Sequence, residues 1–307
     1  MTISAKIIAD SISDAGIRIT TMELEYPRFI HSEFMTHRVF SRNAASSRAI
    51  PVEKARARLM DDPAMPIRWG ANQGGMQAKM EDIEDRSFAK TLWFLARDFA
   101  VKMADLLAGL GLHKQWCNRL TEPFTHIKVV VTSTEWDNFF ALRLHPDAQP
   151  EIMELARVMK EAMDLSDPIH LNPGDWHVPY YKNGQWRASG YFEIGQFTMD
   201  ELDDKRGGAR LSDALAISAS CCAQVSYRLL DDTLKKAQKI YQRLIVAEPM
   251  HASPFEHQAS PMKAPNERAV IRDGSKDQYL GATHTDHKNG DFWSANFRGW
   301  TQYRQIL

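Results

Sequence analysis

Residues 36–48 combine residue types that bind anions. Their sequence, THRVFSRNAASSR, holds three Arg, three Ser, one Asn and no acidic residue. A guanidinium group can pair bidentately with a phosphate, and serine hydroxyls can bind its remaining oxygens. The stretch therefore predicts a phosphate-binding loop, although its composition is equally consistent with a solvated basic loop.

Residues 251–257, HASPFEH, form a second stretch that could carry chemistry. Two His and one Glu could bind a metal ion, but their spacing matches no established zinc motif. Buried, hydrogen-bonded histidine is the commoner outcome. We therefore predict no metal site here, and an exposed polar loop at residues 284–287, whose sequence is HTDH.

A third stretch, residues 134–143, predicts a short helix that carries Asn138 and Arg143. Its apolar side chains are expected to dock the helix; they are Trp136, Phe139, Phe140 and Leu142. The two polar side chains could serve a site, or they could form a surface salt bridge or a cap. Cys117 precedes this stretch with no His beside it in the sequence, so a small buried thiol is favoured over a nucleophile.

The surrounding pattern predicts the elements that position these residues. Residues 5–10 and 17–26 form a hairpin, residues 27–40 a helix that begins at Pro27, and residues 41–48 a loop. The remaining predictions are a helix at 77–110, a strand at 127–131, a helix at 148–163 capped by Asp147, and helices at 211–227 and 234–246. Residues 164–210 are predicted as a loop-rich insertion with buried aromatic side chains, and residues 261–307 as an irregular C-terminal extension.

Charge and composition limit the class of protein. The chain has 307 residues, with 38 Lys plus Arg against 39 Asp plus Glu, 8 Trp, 14 Phe and 8 Tyr. This apolar content suffices for one large domain or two modest ones, and we expect a single catalytic domain over residues 1–307; the charge balance argues against a nucleic-acid partner. No signal peptide, membrane span or set of paired cysteines is recognisable, so we expect a cytoplasmic protein without membrane association.

Several common motifs are missing from the sequence. It has no Gly-x-Gly-x-x-Gly after a strand, no phosphate-binding loop that ends in Gly-Lys-Ser/Thr, no Cys-x-x-Cys pair and no His-Glu-x-x-His. A Rossmann dehydrogenase, a nucleoside triphosphatase and a zinc finger therefore lose support.

Together the three stretches resemble the flavin-dependent thymidylate synthases. That family has Arg-His-Arg, seven residues and then Ser; here Thr36-His37-Arg38 is followed by seven residues and Ser46, with Asn43 and Arg48 in register. Asn138, Leu142-Arg143 and residues 148–152 are similar to a further family stretch, and residues 251–257 resemble its His-x-Thr-Pro-Phe-Glu-His element. In the family this element precedes the Arg-His-Arg helix. The reversed order identifies the chain as a divergent, circularly permuted, phage-like member.

The resemblance implies an α/β (α+β) fold with a helix-flanked, mainly antiparallel sheet in a homo-oligomer, a tetramer with sites shared between subunits. It implies that permutation brings Ser253 and Glu256 near His37 and Asn43. It also implies one-carbon transfer to C5 of dUMP with FAD as cofactor, and methylenetetrahydrofolate and NADPH as co-substrates.

The resemblance also implies roles for individual residues. The nucleotide would be bound by Glu33, Ser46, Ser47, Arg48, Arg119 and Arg143, and Arg143, Ser46 and His37 form the catalytic set. FAD would be contacted by His37, Arg38, Val39, Asn43, Asn138, Leu142, His251, Ser253 and Glu256.

Departures from the family pattern leave other functions open. Thr36 and Ala44 replace an Arg and a Glu, and Glu33 stands where the family has Gln. A carboxylate can accept a hydrogen bond from an amino group, so dCMP is an alternative to dUMP. A 5-hydroxymethylase is the alternative enzyme. A non-catalytic nucleotide-binding relative and, more distantly, a metal-dependent hydrolase are the other classes.

Overall fold

A computed structural model describes residues 2–75, 81–188, 210–226, 230–263, 281–286 and 291–307. The predicted aromatic residues Tyr191 and Phe192, and His287 of the predicted polar loop, lie outside these ranges. So do residues 189–209 of the predicted insertion and residues 264–280 of the C-terminal extension.

The main sheet has five strands. The fold is the predicted α/β (α+β) class, with helices around a mainly antiparallel sheet. The strands are β1 (Ser4–Ser13), β2 (Arg18–Pro27), β3 (Ser41–Ala44), β4 (His126–Ser133) and β5 (Ile169–Leu171), in the spatial order β3-β4-β2-β1-β5. All neighbours are antiparallel except β1 and β5. The predicted hairpin is confirmed: Gly16 turns between β1 and β2 with a φ of 74°, which glycine adopts without steric cost.

The described helices lie on both sides of this sheet. They are α1 (His31–Phe34), α2 (Val52–Asp61), α3 (Arg86–Gly109), α4 (Lys114–Cys117), α5 (Asp137–Arg143), α6 (Pro150–Asp164), α7 (Leu211–Ala223) and α8 (Leu234–Val246). In the described parts of the chain, no helix has both the length and the apolar character that a membrane span needs.

Two small sheets complete the described part of the fold. One has the order β12-β8-β6-β7 and contains β6 (Trp176–His177), β7 (Gln185–Trp186), β8 (Ala259–Pro261) and β12 (Trp300–Gln302). The other contains β9 (His284–Thr285), β10 (Phe292–Ser294) and β11 (Phe297–Arg298). The predicted insertion and extension therefore contribute short strands that meet in one sheet.

The alternation of side chains along β4 separates two cores. Val129 and Val131 pack in the larger core with residues of α5 and α6, whereas Val130 packs against Cys222 of α7 on the opposite face. Successive strand residues point to opposite faces, so one strand serves both cores. Trp176, Tyr181 and Trp186 are buried in a further core with α7, as predicted, while Tyr180 is half-buried.

The prediction of a helix over residues 27–40 is wrong beyond its first turns. Pro27 is the last residue of β2, and α1 ends at Phe34, where the Thr36 hydroxyl donates a hydrogen bond to the Glu33 carbonyl. A threonine hydroxyl that binds the backbone in this way competes with helical hydrogen bonds. The chain then turns, and Phe40 is buried in the larger core.

The prediction of a loop over residues 41–48 is also wrong for its first half. Residues Ser41–Ala44 form β3 and pair with β4, so that Asn43 lies opposite Val130. Pairing with a buried strand overrides the low strand propensity of Asn and Ser, because tertiary context dominates strand formation. Residues Ser47–Ala49 then form one 3-10 turn.

Asp147 does not cap α6 as predicted. The helix begins at Pro150, and Gln149 occupies the capping position. Proline is suited to the first helical position because it lacks the N–H that would stay unpaired there. Asp147 therefore lies outside the helix, and its backbone N–H donates to His145 Nδ1.

Candidate active site

His37 and Arg143 meet at the open edge of the larger core. Arg143 Nε donates to His37 Nε2 over 3.0 Å, and Arg143 Nη2 lies 3.5 Å from the Thr36 hydroxyl. The imidazole lies against Phe139, with ring centroids 4.9 Å apart. Burial, together with the charges of Arg143 and Arg42, lowers the His37 pKa to about 4. His37 is therefore a neutral acceptor at pH 7 and fixes the orientation of the guanidinium group.

Arg42 closes the turn between α1 and β3. Its Nη1 donates to the carbonyls of Met35 and His37, at 3.0 and 2.9 Å. Arg38 and Val39 project from the same turn and are exposed. In the part of the chain that the structure describes, Arg38 has no ion-pair or hydrogen-bond partner. The turn therefore presents a free positive charge next to an apolar side chain.

Asn43 is buried with one polar atom unused. Its Nδ2 donates to the Cys222 carbonyl at 3.1 Å, and its side chain has no more than 8% exposure. Its Oδ1 is buried and has no hydrogen-bond partner among the described residues. An unpaired buried acceptor is costly, so this atom is a candidate for a ligand donor.

The 3-10 turn Ser47–Ala49 is held against the segment that carries Arg119. Asn118 Nδ2 donates to the carbonyls of Ser47 and Ile50, both at 2.8 Å. Arg119, the next residue, forms an exposed ion pair with Glu122 at 3.1 Å. The structure thus brings the predicted residues Ser46, Ser47, Arg48 and Arg119 into one neighbourhood. Arg48 is exposed.

Arg28 is a residue of this neighbourhood that the sequence analysis missed. Its Nη1 lies 3.5 Å from Glu122, and its Nη2 donates to the Ala45 carbonyl at 3.2 Å. Burial and the charge of Arg119 lower the Arg28 pKa, whereas Glu122 raises it. The sequence offers no signal for this role, because Arg28 belongs to no motif and joins the turn only through the β2–β4 pairing.

The stretch 251–257 lies beside β3 in the same chain. Its 3-10 turn, Ser253–Phe255, contacts β3, and the side chain of Gln302 bridges the Glu256 carbonyl and Ser41 Oγ. The Glu256 carboxylate pairs with Arg304 and acts electrostatically on Arg42. The segments that the permutation hypothesis expects to meet are therefore neighbours within one subunit.

The other predicted residues lie on the surface around this region. Asn138, His251 and Ser253 are exposed, and Glu33 is half-buried. Leu142 is 53% exposed, so the expectation that it docks α5 is wrong. Trp136, Phe139 and Phe140 suffice for docking, since all three are buried. Leu142 remains free to contact a ligand.

His257 belongs to a buried polar network behind the sheet. His177 Nδ1 meets Ser11 Oγ at 2.9 Å, and His177 Nε2 meets Thr21 Oγ1 at 2.8 Å. Thr21 meets Thr132 at 2.7 Å, and Thr132 meets His257 Nδ1 at 2.8 Å. Burial lowers the pKa of both histidines to about 3. Both imidazoles are thus neutral at pH 7.

The remaining features are the side chains that could bind a metal ion and the thiol of Cys117. The described residues contain no group of three or more His, Cys, Asp or Glu side chains arranged to hold a metal ion. Cys117 is a buried thiol that donates to the Leu112 carbonyl, as predicted.

Two solved structures are similar to this chain at low sequence identity. The UMP/dUMP methylase PolB from Streptomyces cacaoi, solved with 5-Br dUMP, is 17% identical, with 53% of this chain and 90% of that chain covered and a TM-score of 0.43. Flavin-dependent thymidylate synthase ThyX from Helicobacter pylori, solved with FAD and dUMP, is 16% identical, with 47% and 67% covered and a TM-score of 0.33. A search of curated proteins gave no match.

A family model matches the part of the chain that holds most of the site. The match begins at Arg18, the first residue of β2, and ends at Ile169, the first residue of β5. It includes His37, Asn43 and Arg143 and stops before the 251–257 stretch. Residues 18–169 match the model of the Thy1 family, described as thymidylate synthase complementing protein, and this part of the chain belongs to that family.

Proposed function

We propose that the protein is an enzyme that transfers one carbon to C5 of a pyrimidine deoxynucleotide monophosphate, with dUMP as substrate and FAD as cofactor. The observation that carries this proposal is the His37–Arg143 hydrogen bond within the family-matched segment. It holds a guanidinium group against a neutral imidazole and leaves other N–H donors of Arg143 available.

The nucleotide phosphate is assigned to the turn that Asn118 holds. Ser46, Ser47 and Arg48 supply hydroxyls and a guanidinium group there, and Arg119 is adjacent in the chain to Asn118. Charge-assisted hydrogen bonds to phosphate are about twice as strong as neutral ones. These groups orient the nucleotide, and Ser46 is assigned both to substrate binding and to the catalytic set.

Arg143 is assigned to the pyrimidine base. C5 is nucleophilic when the pyrimidine ring carries negative charge shared between C5 and a ring carbonyl oxygen, as in an enolate, and this charge is consumed as C5 forms its bond to the incoming carbon. Fixed donors aimed at such an oxygen are among the largest contributions to catalysis. His37 accepts from Arg143 Nε and therefore acts by orienting it.

The residues present fit a flavin. Among the described residues, the buried Asn43 Oδ1 and the exposed Arg38 side chain have no partner, and Val39 and Leu142 are exposed apolar side chains at 37% and 53%. The other assigned contacts are His37, Asn138, His251, Ser253 and Glu256. When bound in reduced form, FAD supplies the electrons that convert the transferred unit to a methyl group, with methylenetetrahydrofolate as carbon donor and NADPH as reductant.

A 5-hydroxymethylase that acts on dUMP or dCMP is the second candidate. The half-buried Glu33 lies in α1, one turn before His37, and its carboxylate can accept a hydrogen bond from the amino group of cytosine. Both reactions replace the C5 hydrogen, which leaves as a proton. Reduction then yields methyl, whereas addition of water yields hydroxymethyl.

Product analysis tests the proposal. Purified protein is incubated with FAD, methylenetetrahydrofolate, NADPH and either dUMP or dCMP, and the nucleotides are analysed by mass spectrometry. A mass gain of CH2 on dUMP supports the methylase, and a gain of CH2O supports the hydroxymethylase. Unchanged nucleotides together with no uptake of FAD would favour the non-catalytic relative. Hydrolysis of the nucleotide that a chelator abolishes would favour the metal-dependent hydrolase.

A second copy of the chain is the proposed partner at α3. Five large apolar side chains on its outer face are about half or more exposed: Phe88, Leu92, Leu95, Phe99 and Leu106. A contiguous group of exposed apolar side chains of this kind marks an interaction surface. Their spacings of four, three, four and seven residues are those of a helix–helix seam.

The seam is self-complementary, which favours a second copy over another protein. An antiparallel pair centred on Arg97 would place Phe88 opposite Leu106, and Leu95 opposite Phe99. We therefore propose a homo-oligomer, a tetramer when a second interface adds to this one. Sedimentation should show dissociation of the L95E variant, with the exposed K90E variant as control; an unchanged mass for L95E would exclude α3 as the interface.

A further inference from the structure

The C-terminal segment 291–307 lies outside the family-matched residues and packs against the site. Its strand β12 pairs with β8, so that Thr301 lies opposite Ser260. Trp300 Nε1 donates to the Ile17 carbonyl at 3.1 Å and anchors the segment to the β1–β2 hairpin. Two amide side chains of this segment, Asn296 and Gln302, reach the region around β3.

Gln302 joins two stretches that are far apart in the sequence. Its side chain is buried, and its Nε2 lies 3.2 Å from the Glu256 carbonyl and 3.3 Å from Ser41 Oγ. The same nitrogen donates to Asn296 Oδ1 at 2.9 Å. One amide group therefore connects the first residue of β3, the 251–257 stretch and the C-terminal segment.

Asn296 extends this connection to the turn before β3. Its Nδ2 donates to the Val39 carbonyl and to Ser41 Oγ, both at 3.0 Å. Nearby, the Arg298 backbone N–H donates to Thr134 Oγ1 at 3.0 Å, just before α5. The C-terminal segment thus binds the backbone of Val39 and Glu256, whose side chains are assigned to FAD under the proposed function.

A neutral amide suits this position physically. Gln302 is enclosed, and a charged group there would lose its hydration without a counter-charge. An amide supplies two donors and one acceptor in fixed geometry, and the hydrogen bonds hold carbonyl groups whose positions depend on the fold. Side chains placed by packing and by such supporting hydrogen bonds keep a site in its productive geometry.

We propose that Gln302 and Asn296 are positioning residues of the site, which hold the Val39–Ser41 backbone against the Glu256 turn. This rests on the proposed function. The C-terminal segment is then a part of the site that joins, by hydrogen bonds, two stretches far apart in the sequence.

The first test measures FAD affinity by flavin fluorescence. The Gln302→Leu variant keeps the volume and removes the donors, so its Kd for FAD should rise about tenfold. Trp300→Phe is the matched control, since it removes a hydrogen bond of the same strand that reaches Ile17 instead of the site. It should lower the melting temperature and leave the Kd unchanged. Equal effects of the two variants would overturn the proposal.

A double-mutant cycle separates positioning from general destabilisation. Ser41→Ala should weaken FAD binding less than Gln302→Leu, and the double variant should lose less binding free energy than the sum of the two single losses, because both variants remove the same Gln302–Ser41 hydrogen bond. Additive losses would overturn the proposal. If Gln302→Leu does not fold, Asn296→Ala, at a half-buried position, takes its place in the cycle.

Hydrogen exchange separates failure of this inference from failure of the proposed function. Without any ligand, the amides of residues 41–44 should exchange faster in Gln302→Leu than in wild type, and at the wild-type rate in Trp300→Phe. If wild type binds no FAD, the proposed function fails, while this exchange pattern still supports the connection. Unchanged exchange in Gln302→Leu would overturn it.

Discussion

The structure contains two regions built around histidine, and the polar groups of these regions differ in their exposure to solvent. Behind the sheet, His177 and His257 are fully enclosed and linked through the hydroxyls of Thr21 and Thr132. At the open edge, His37 accepts from Arg143, which is half-buried, and Arg38 nearby is exposed. Both regions keep histidine neutral, but the arginines of the open edge reach solvent, whereas His257 Nε2, which has no hydrogen-bond partner among the described residues, is buried.

This contrast separates stabilising from binding chemistry. A buried network whose members pair with one another contributes to the fold and leaves little for a ligand. An edge where guanidinium groups meet solvent and apolar side chains is suited to an anionic, aromatic ligand. Changes in the first region should therefore alter stability, and changes in the second should alter binding or turnover.

The largest effect is expected for Arg143→Ala. Loss of the fixed donors should reduce turnover about 10²–10³-fold with little change in melting temperature, since Arg143 is not fully enclosed. The His37 pKa, followed by NMR, should rise from about 4 because one neighbouring positive charge is removed. Arg157→Ala, which removes an exposed ion pair on α6, is the control. Full activity in Arg143→Ala would contradict the assignment.

The enclosed histidines predict a pH effect on stability. Their folded pKa of about 3 lies below the unfolded value of 6.5, so below pH 6.5 the unfolded chain binds protons that the folded chain does not. The free energy of unfolding should therefore fall as the pH falls, by about 1.4 kcal/mol per pH unit for each histidine. Urea unfolding at several pH values measures this slope. In His257→Gln the free energy of unfolding should change by about 1.4 kcal/mol less per pH unit than in wild type. The same slope in the variant and in wild type would show that burial does not shift the His257 pKa.

Thr21→Val should break the enclosed network. It leaves His177 Nε2 without its partner, and we expect a loss of about 1–3 kcal/mol in the free energy of unfolding with unchanged KM and kcat. Thr91→Val, at an exposed position of α3, is the control. A change in kcat without a loss of stability would place the network in the reaction.

The smallest effect is expected for Arg48→Ala. Loss of one phosphate contact should raise KM for dUMP about tenfold and leave kcat and stability unchanged. Arg58→Ala removes an exposed arginine from α2 and controls for net charge. Equal KM changes in both variants would indicate a general electrostatic effect instead of a contact at the turn.

The predictions from sequence succeeded where local pattern determines structure. The β1–β2 hairpin follows from alternation and Gly16, and α8 has the predicted bounds of residues 234–246. Predictions failed where long-range pairing decides, as at β3. There a polar stretch becomes a strand because the buried β4 pairs with it.

The sequence by itself determined the chemistry available to this protein. The spacing of His37, Arg38, Asn43 and Ser46, and the 251–257 stretch, indicate the family and the candidate residues. These are local properties, carried by residue type and separation along the chain.

Only the tertiary structure decided which of these residues meet and what supports them. Arg143 reaches His37 because α5 packs on the larger core, and Glu256 lies beside β3 because Gln302 bridges them. Neither contact leaves a pattern in the sequence, since each depends on the folding of segments separated by many residues. The roles of Arg28 and Asn296 could not be predicted from the sequence for the same reason.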